Sequence, residues 1–167
     1  AAIGAERPVG MDGFFYNPHS FFIANYGLPA FEESMSAMHR LTKVFTAEFC
    51  IRAFISEYPE TMERLRGWAN DPDEHVRRLV SEGTRPRLPW AAHLPQFRAD
   101  PEPVIALLAL LKDDESEYVL RSVGNNLNDI SKDHPARALE VASAWYPGRE
   151  QLVRRGLRTL IKAGDPQ

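Results

Sequence analysis

Residues 71–90 read D-P-D-E-H-V-R-R-L-V-S-E-G-T-R-P-R-L-P-W, and the fold is decided by how this stretch is read. The D-P-D at 71–73 ends one helix and starts the next: proline cannot continue a helix, and aspartate accepts bonds from the free N–H groups of a first turn. The segment from His75 is helical up to Gly83, which is expected to take the left-handed conformation that terminates a helix. Beyond it, Pro86 and Pro89 each fix φ and remove a donor, so the loop carrying Arg85, Arg87 and Trp90 is stiff. A lone carboxylate, Glu82, lies on the last turn before the break, among Arg77, Arg78, Arg85 and Arg87.

The pattern returns twice. D-P-D-E-H-V-R-R-L-V-S-E (71–82) aligns with D-D-E-S-E-Y-V-L-R-S-V-G-N (113–125) and with R-E-Q-L-V-R-R-G-L-R-T-L (149–160); Val76, Val119 and Val153 fall in register at intervals of 43 and 34 residues. A polar turn precedes each copy, and before that turn comes another helical segment: 60–70, 101–112 and 135–146. Paired helices recurring at a period near 40, with no strand run between them, are the signature of HEAT-type repeats. The expected fold is all-α, a HEAT-like α-solenoid of stacked antiparallel helix pairs, forming one domain over residues 1–167. Such a stack puts one helix of each pair on a concave face, where Glu82, Asn125 and Thr159 would align.

N-terminal to the repeats, residues 1–29 are rich in Gly, Pro and aromatics, and read as an apolar strap over the first helices. Pro18 and Pro29 confine any helix there to about 18–27. Phe31, Met35, Met38 and Leu41 then recur at helical spacing. Thr46 is the expected N-cap of a second helix, with Phe45, Phe49 and Ile55 on its apolar side and Glu48 paired to Arg52 at i+4. Pro59 opens a third, with Glu60 and Glu63 at the positive end of its dipole. The chain opens on Ala1, and Met11 begins a segment of its own, so the natural protein is expected to extend further N-terminally.

A net charge of -3 argues against a generally basic nucleic-acid coat. Local patterning says otherwise: from Arg77 to Arg98 there are five arginines and one acid. A single cysteine, Cys50, excludes an internal disulfide or a Cys-based zinc cluster, and its neighbours Phe49 and Ile51 point to a buried thiol in a reducing, cytoplasmic setting. No apolar run reaches the ~20 residues of a membrane span, and no signal-peptide pattern opens the chain. The five histidines are scattered without metal-ligand spacing, and no phosphate-cradling or nucleophile-elbow glycine motif is present, so neither metal nor cofactor is expected.

A second polar stretch, S-V-G-N-N-L-N-D-I-S-K-D (122–133), concentrates poor helix formers inside a helix, with Asn125 and Asp129 on one face. Arginines and asparagines suit phosphate oxygens, but a carboxylate among them opposes phosphate binding and needs a cationic partner. Cleavage of a glycosidic bond supplies one: its oxocarbenium-like transition state is stabilised by a nearby carboxylate that also orients or deprotonates water. A tryptophan can stack on a deoxyribose or a cationic base. Acid and tryptophan amid backbone clamps point to N-glycosidic hydrolysis in DNA. The alternative from another class is a non-catalytic helical-repeat module that binds nucleic acid or protein.

V-R-R-L-V-S-E-G-T-R-P-R-L-P-W and S-V-G-N-N-L-N-D-I-S-K-D-H-P closely resemble the AlkC branch of the HEAT-like DNA alkylation repair glycosylases, over roughly residues 40–163 including T-A-E-F-C-I-R. The resemblance implies a bacterial base-excision enzyme that releases cationic N3-methylated bases such as 3-methyladenine from double-stranded DNA, without metal or cofactor and without flipping the base. It makes Glu82 and Asp129 an acidic pair facing the lesion, sets Trp90 against the deoxyribose, and adds Glu48 as a further acid. Arg78, Arg85, Arg87, Arg121 and Lys132 become backbone clamps, with Asn125 on the same DNA-binding face. No obligate protein partner is implied, and a monomer is expected. Gly124 stands where the family usually has alanine, which should loosen its helix by about 0.5–1 kcal/mol. Family members also carry further N-terminal helical repeats, and many add a small β-sandwich after the solenoid.

Overall fold

The computed structural model describes residues 10–164, which contain helices and no strand. A 3-10 helix, Gly10–Tyr16, leads into α1 (Asn17–Tyr26), α2 (Phe31–Val44) and α3 (Ile51–Glu57). The repeats follow as three helix pairs: α4 (Glu60–Trp68) with α5 (Glu74–Gly83), α7 (Glu102–Leu111) with α8 (Glu117–Asp133), and α9 (Pro135–Trp145) with α10 (Glu150–Gly156). The short α6 (Pro95–Ala99) sits between the first two pairs and α11 (Arg158–Lys162) closes the series. α5 packs on α8 and α8 on α10, forming one layer; α4 packs on α7, and α9 backs α8 and α10. This is the expected all-α solenoid. Among the described residues, no helix is long and apolar enough to cross a membrane.

The turns show why the register holds. Asp73 caps α5 by accepting the His75 N–H, and Ser116, one repeat on, caps α8 by accepting the Tyr118 N–H. Asp71 accepts the N–H of Asp73 at 2.9 Å, as Asp114 accepts that of Ser116 at 2.9 Å. Arg77 ties the two turns together, binding Asp114 through Nε (2.6 Å) and Nη2 (3.0 Å) and the Asp71 carbonyl through Nη1 (2.9 Å). The register valines are all buried, with Leu79, Leu107, Leu108, Leu111, Val123, Leu127 and Ile130 between and beneath them. Each such side chain contributes about 1.5–3 kcal/mol by leaving water, so the pairs are held chiefly by their apolar faces.

Several local expectations are corrected. Gly83 does not break the helix in a left-handed conformation: it is the last residue of α5, and Thr84 follows at φ -89°. Glycine is required there because a Cβ would lie 2.6 Å from Ile51 Cγ2 on α3. Thr46 does not cap a helix either; α3 starts at Ile51, and Thr46 and Glu48 lie in the preceding turn, where the Thr46 hydroxyl donates to Glu48 at 2.7 Å. Arg52 is not the partner of Glu48. The helix before Pro29 is α1, packed on α2 and α3 through Ser20 and Ile23, while Phe14, Phe15, Phe21, Phe22 and Tyr26 remain exposed. Residues 1–9 of the expected strap lie outside the described residues. Cys50 is buried as expected, and burial pushes its thiol up to about 11, too high for a reactive thiolate.

Candidate active site

Everything near Glu82 follows from where α5 ends. The helix delivers this carboxylate to the inner face, 6% exposed, against Ser122 of α8, whose hydroxyl donates to Oε2 at 2.6 Å. Arg85 Nη1 donates to Oε1 at 2.7 Å, and Arg78 Nη2 stands 3.6 Å from the same oxygen. Burial alone would raise this carboxyl, but the charges of Arg78 and Arg85, with hydrogen bonds from Ser122 and Arg85, outweigh it and hold Glu82 below the ordinary carboxylate value. Glu82 is therefore ionised at neutral pH.

The other expected acids reach the site by different routes. Asp129 of α8 is 1% exposed; Arg85 Nε donates to it at 2.8 Å and Lys132 Nζ at 3.0 Å. One guanidinium thus bridges Glu82 and Asp129, and it is itself 7% exposed. Glu48 receives Arg78 Nη1 and the Thr46 hydroxyl. Arg78 therefore links Glu48 to Glu82, with its guanidinium carbon 5.3 Å from the centre of the Tyr118 ring.

Glu82 forms the wall between two open clefts. One, of about 520 Å³, is lined by Glu48, Glu82, Arg85 and Trp90 with Phe14, Phe45, Phe49, Leu88 and Pro89. The other, of about 310 Å³, is lined by Glu82, Arg78, Arg121 and Arg155 with Tyr118, Ser122 and Asn125. Trp90 is 98% exposed and sits at φ 62°, a conformation that costs an L-residue roughly 1–2 kcal/mol. No packing rewards it for doing so, and such strain collects at functional sites.

The structure thus gathers Glu82, Glu48 and Trp90 along one cleft, and Arg78, Arg121 and Asn125 along the next. Asp129 lines neither; it is buried behind Arg85. Arg85, expected on the phosphate backbone, is occupied by two carboxylates. Arg87 sits apart from Glu82: with Arg98 it binds Asp133, at 2.6–2.9 Å from Arg87 and 3.3 Å from Arg98, and the Arg87 hydrogen bond holds the Asp133 carboxyl far below the usual range. Asp133 is thus a partner of arginines and not a helix cap. Thr159 does not join Glu82 on the inner face; its N–H and hydroxyl both donate to Asn128 at 3.0 Å. Asn126 is likewise a fastener, donating to the Ser81 carbonyl (2.7 Å) and Thr84 (3.1 Å). Among the described residues, no cluster of His, Cys, Asp and Glu could hold a metal ion.

Sequence reasoning missed Arg52, Ser122 and Arg155. Arg52 is 6% exposed and donates to the carbonyls of Gly83 (3.1 Å), Arg85 (2.7 Å) and Ala92 (2.6 Å), fastening both ends of the Trp90 loop. Burial and the charge of Arg85 bring it down to about 10, still cationic at neutral pH. Ser122 carried a usable signal, since it lies one helical turn before Asn125 on the same face.

The model of the DNA alkylation repair enzyme family matches residues 27–152, three quarters of the chain. The chain belongs to that family. It is 43% identical to the Pseudomonas fluorescens alkylpurine DNA glycosylase AlkC, solved bound to DNA containing an abasic site analog, with a TM-score of 0.88 over 92% of this chain and 44% of that one. It is 45% identical over 150 residues to the uncharacterized protein YhaZ of Bacillus subtilis (strain 168), covering 87% of this chain and 42% of that protein. AlkD2 of Streptococcus mutans shares the fold, at 23% identity and a TM-score of 0.62 over 87% of this chain and 81% of that one. The chain spans less than half the length of AlkC and of YhaZ.

Proposed function

We propose that this family member is a DNA glycosylase that hydrolyses the N-glycosidic bond of cationic N3-alkylated bases, of the 3-methyladenine class, in double-stranded DNA. The observation that carries the reading is Glu82: a buried, ionised carboxylate on the wall between an aromatic cleft and a cationic one. An ionised Glu82 has no proton to give a leaving base. A base made cationic by alkylation needs none, because the electron pair of the breaking N–C1′ bond neutralises it as it departs. What develops is positive charge on the sugar, and a carboxylate already fixed by Arg78, Arg85 and Ser122 stabilises it without reorganising. Water then attacks C1′ and gives up a proton to the carboxylate, completing hydrolysis.

In this reading Trp90 meets the deoxyribose from the aromatic cleft and Glu48 holds Arg78 while adding negative potential to the same space. Asp129 acts through Arg85, which it aligns on Glu82, and so Arg85 serves the acids instead of the backbone. Arg78, Arg121, Asn125 and, further out, Arg87 and Lys132 face the DNA. Both clefts are open, which suits a lesion attacked in the duplex without being flipped into an enclosed pocket. The reading includes no metal or cofactor, and treats residues 1–167 as one domain acting as a monomer. It is also supported by the likeness to AlkC at 43% identity.

The test is release of free 3-methyladenine from methylated duplex DNA, comparing the chain with its Glu82→Gln variant. Glutamine keeps the shape and removes the charge, and loss of one preorganised electrostatic contact of this kind costs on the order of 100–1000-fold in rate. Release by the parent with that loss in the variant is the expected result. Absence of release from a folded, DNA-binding parent would transfer the assignment to a non-catalytic binding module.

A further inference from the structure

The two arginines best placed to take an anion beside Glu82 are one that motif reading found and one that it did not. Arg78, Arg121 and Arg155 each lie two residues after a register valine, so they occupy the same position in three successive repeats. All three line the cleft of about 310 Å³ on the α8–α10 side of Glu82. They differ in how far they are already engaged. Arg78 is held by Glu48 and Glu82. Arg121 donates to the Glu117 carbonyl at a long 3.3 Å and, among the described residues, has no carboxylate partner. The Arg155 side chain has neither a carboxylate nor a hydrogen-bonding partner among the described residues, although its backbone carbonyl accepts from the Leu157 N–H. Glu117 and Glu150 line the adjoining cleft, and among the ion pairs of the described residues none joins either of them to Arg121 or Arg155.

Other arginines around the site are occupied. Arg85 bridges two acids, Arg87 and Arg98 share Asp133, and Arg52 serves three carbonyls. A phosphate approaching any of these would have to displace a carboxylate or a carbonyl, whereas at Arg121 and Arg155 no ion pair need break. Gly124 explains how Arg155 is aimed. A Cβ at that position would lie 2.9 Å from Arg155 Cδ and 3.0 Å from its Cβ and Cγ, so the aliphatic stem lies flat across α8 where the side chain of residue 124 would be. The guanidinium is carried over that gap to the cleft that Glu82 also lines.

We infer that Arg155 is a further phosphate-binding residue, which with Arg121 seats a DNA backbone phosphate on one side of Glu82 while the sugar lies against Trp90 on the other. The inference rests on the DNA-glycosylase reading for its ligand and adds a residue that reading did not contain. Two guanidiniums converging on one phosphate give the paired, planar hydrogen bonding that favours arginine at such sites.

The experiment is a salt titration of binding to an unmethylated mixed-sequence duplex, followed by fluorescence anisotropy, for the parent and for Arg155→Ala, Arg155→Lys and Arg154→Ala. Arg154 is exposed on the same helix, carries the same charge and lines neither cleft beside Glu82. Each neutralised phosphate adds about 0.9 to the slope of log affinity against log salt; because Arg121 shares the phosphate, Arg155→Ala should flatten that slope by about half a unit and at most by about one. Arg155→Lys should restore it, and Arg154→Ala should leave it near the parental value. An unchanged slope in Arg155→Ala, or an equal change in Arg154→Ala, overturns the inference while leaving the glycosylase reading intact. A folded parent that binds no duplex overturns both.

Discussion

Glu82 combines two features that oppose one another, burial and a negative charge. A carboxylate leaving water this fully should hold its proton, yet Arg78, Arg85 and Ser122 more than reverse that tendency. The consequence can be measured. Because its folded-state value lies below its unfolded one, Glu82 contributes stability that is present above the ordinary carboxylate value of 4.5 and is lost as pH falls through the folded value. Urea midpoints taken from pH 7 down to pH 3 should therefore fall less steeply below about pH 4.5 in Glu82→Gln than in the parent. Parallel acid limbs would mean that the three partners do not hold the charge. Arg52 marks the opposite case in legibility. Its spacing to Glu48 fitted a helical ion pair, but the backbone before α3 is a turn, and no local pattern reveals that carbonyls from residues 83, 85 and 92 converge on it. The acids could be read as a set from the sequence; their wiring through Arg85 could not, since it depends on which side of α8 meets the end of α5.

At the scale of elements, helices and their register were legible because buried valines and capping turns repeat with the chain, as Asp71–Asp73 and Asp114–Ser116 do. Glycines were misread because sequence alone makes a glycine look like a break or a weakness. Gly83 and Gly124 are instead places where α3 and α10 come too close for a Cβ. The expected loosening of α8 by Gly124 is thus only half of the balance. Alanine there would gain about 1 kcal/mol of helix propensity but would press on three Arg155 atoms, including its Cβ, which no side-chain rotation can move. Overpacking of this kind costs about 1–3 kcal/mol, so Gly124→Ala should be destabilising by about 1 kcal/mol in urea unfolding. A gain in stability would show that α10 yields freely and that propensity decides.

Across the chain as a whole the helix pairs form a stack, and the stability of a stack is set by its junctions as much as by its repeats. The junction between the first and second pairs runs through Arg77 and Asp114, whose side chains are 11% and 5% exposed. Asp114→Asn leaves the Arg77 guanidinium with the carbonyls of Asp71 and Pro72 and only the more distant charges of Glu74 and Glu115. Breaking a fully buried pair on one side costs about 3–5 kcal/mol, and this part-buried one should fall at or below the lower end of that range. The neighbouring Asp113 provides the contrast: it meets Arg149 and Lys112 at the open surface, where screening leaves ion pairs worth little, so Asp113→Asn should barely move the midpoint. If residues 1–167 form one cooperative domain, Asp114→Asn will lower the urea midpoint while the transition stays single and equally steep. A transition that splits in two would instead mean that the helices before the junction and those after it fold as separate units. In that case the site, which draws Glu82 and Arg85 from one side and Asp129 and Ser122 from the other, would exist only while the junction is closed.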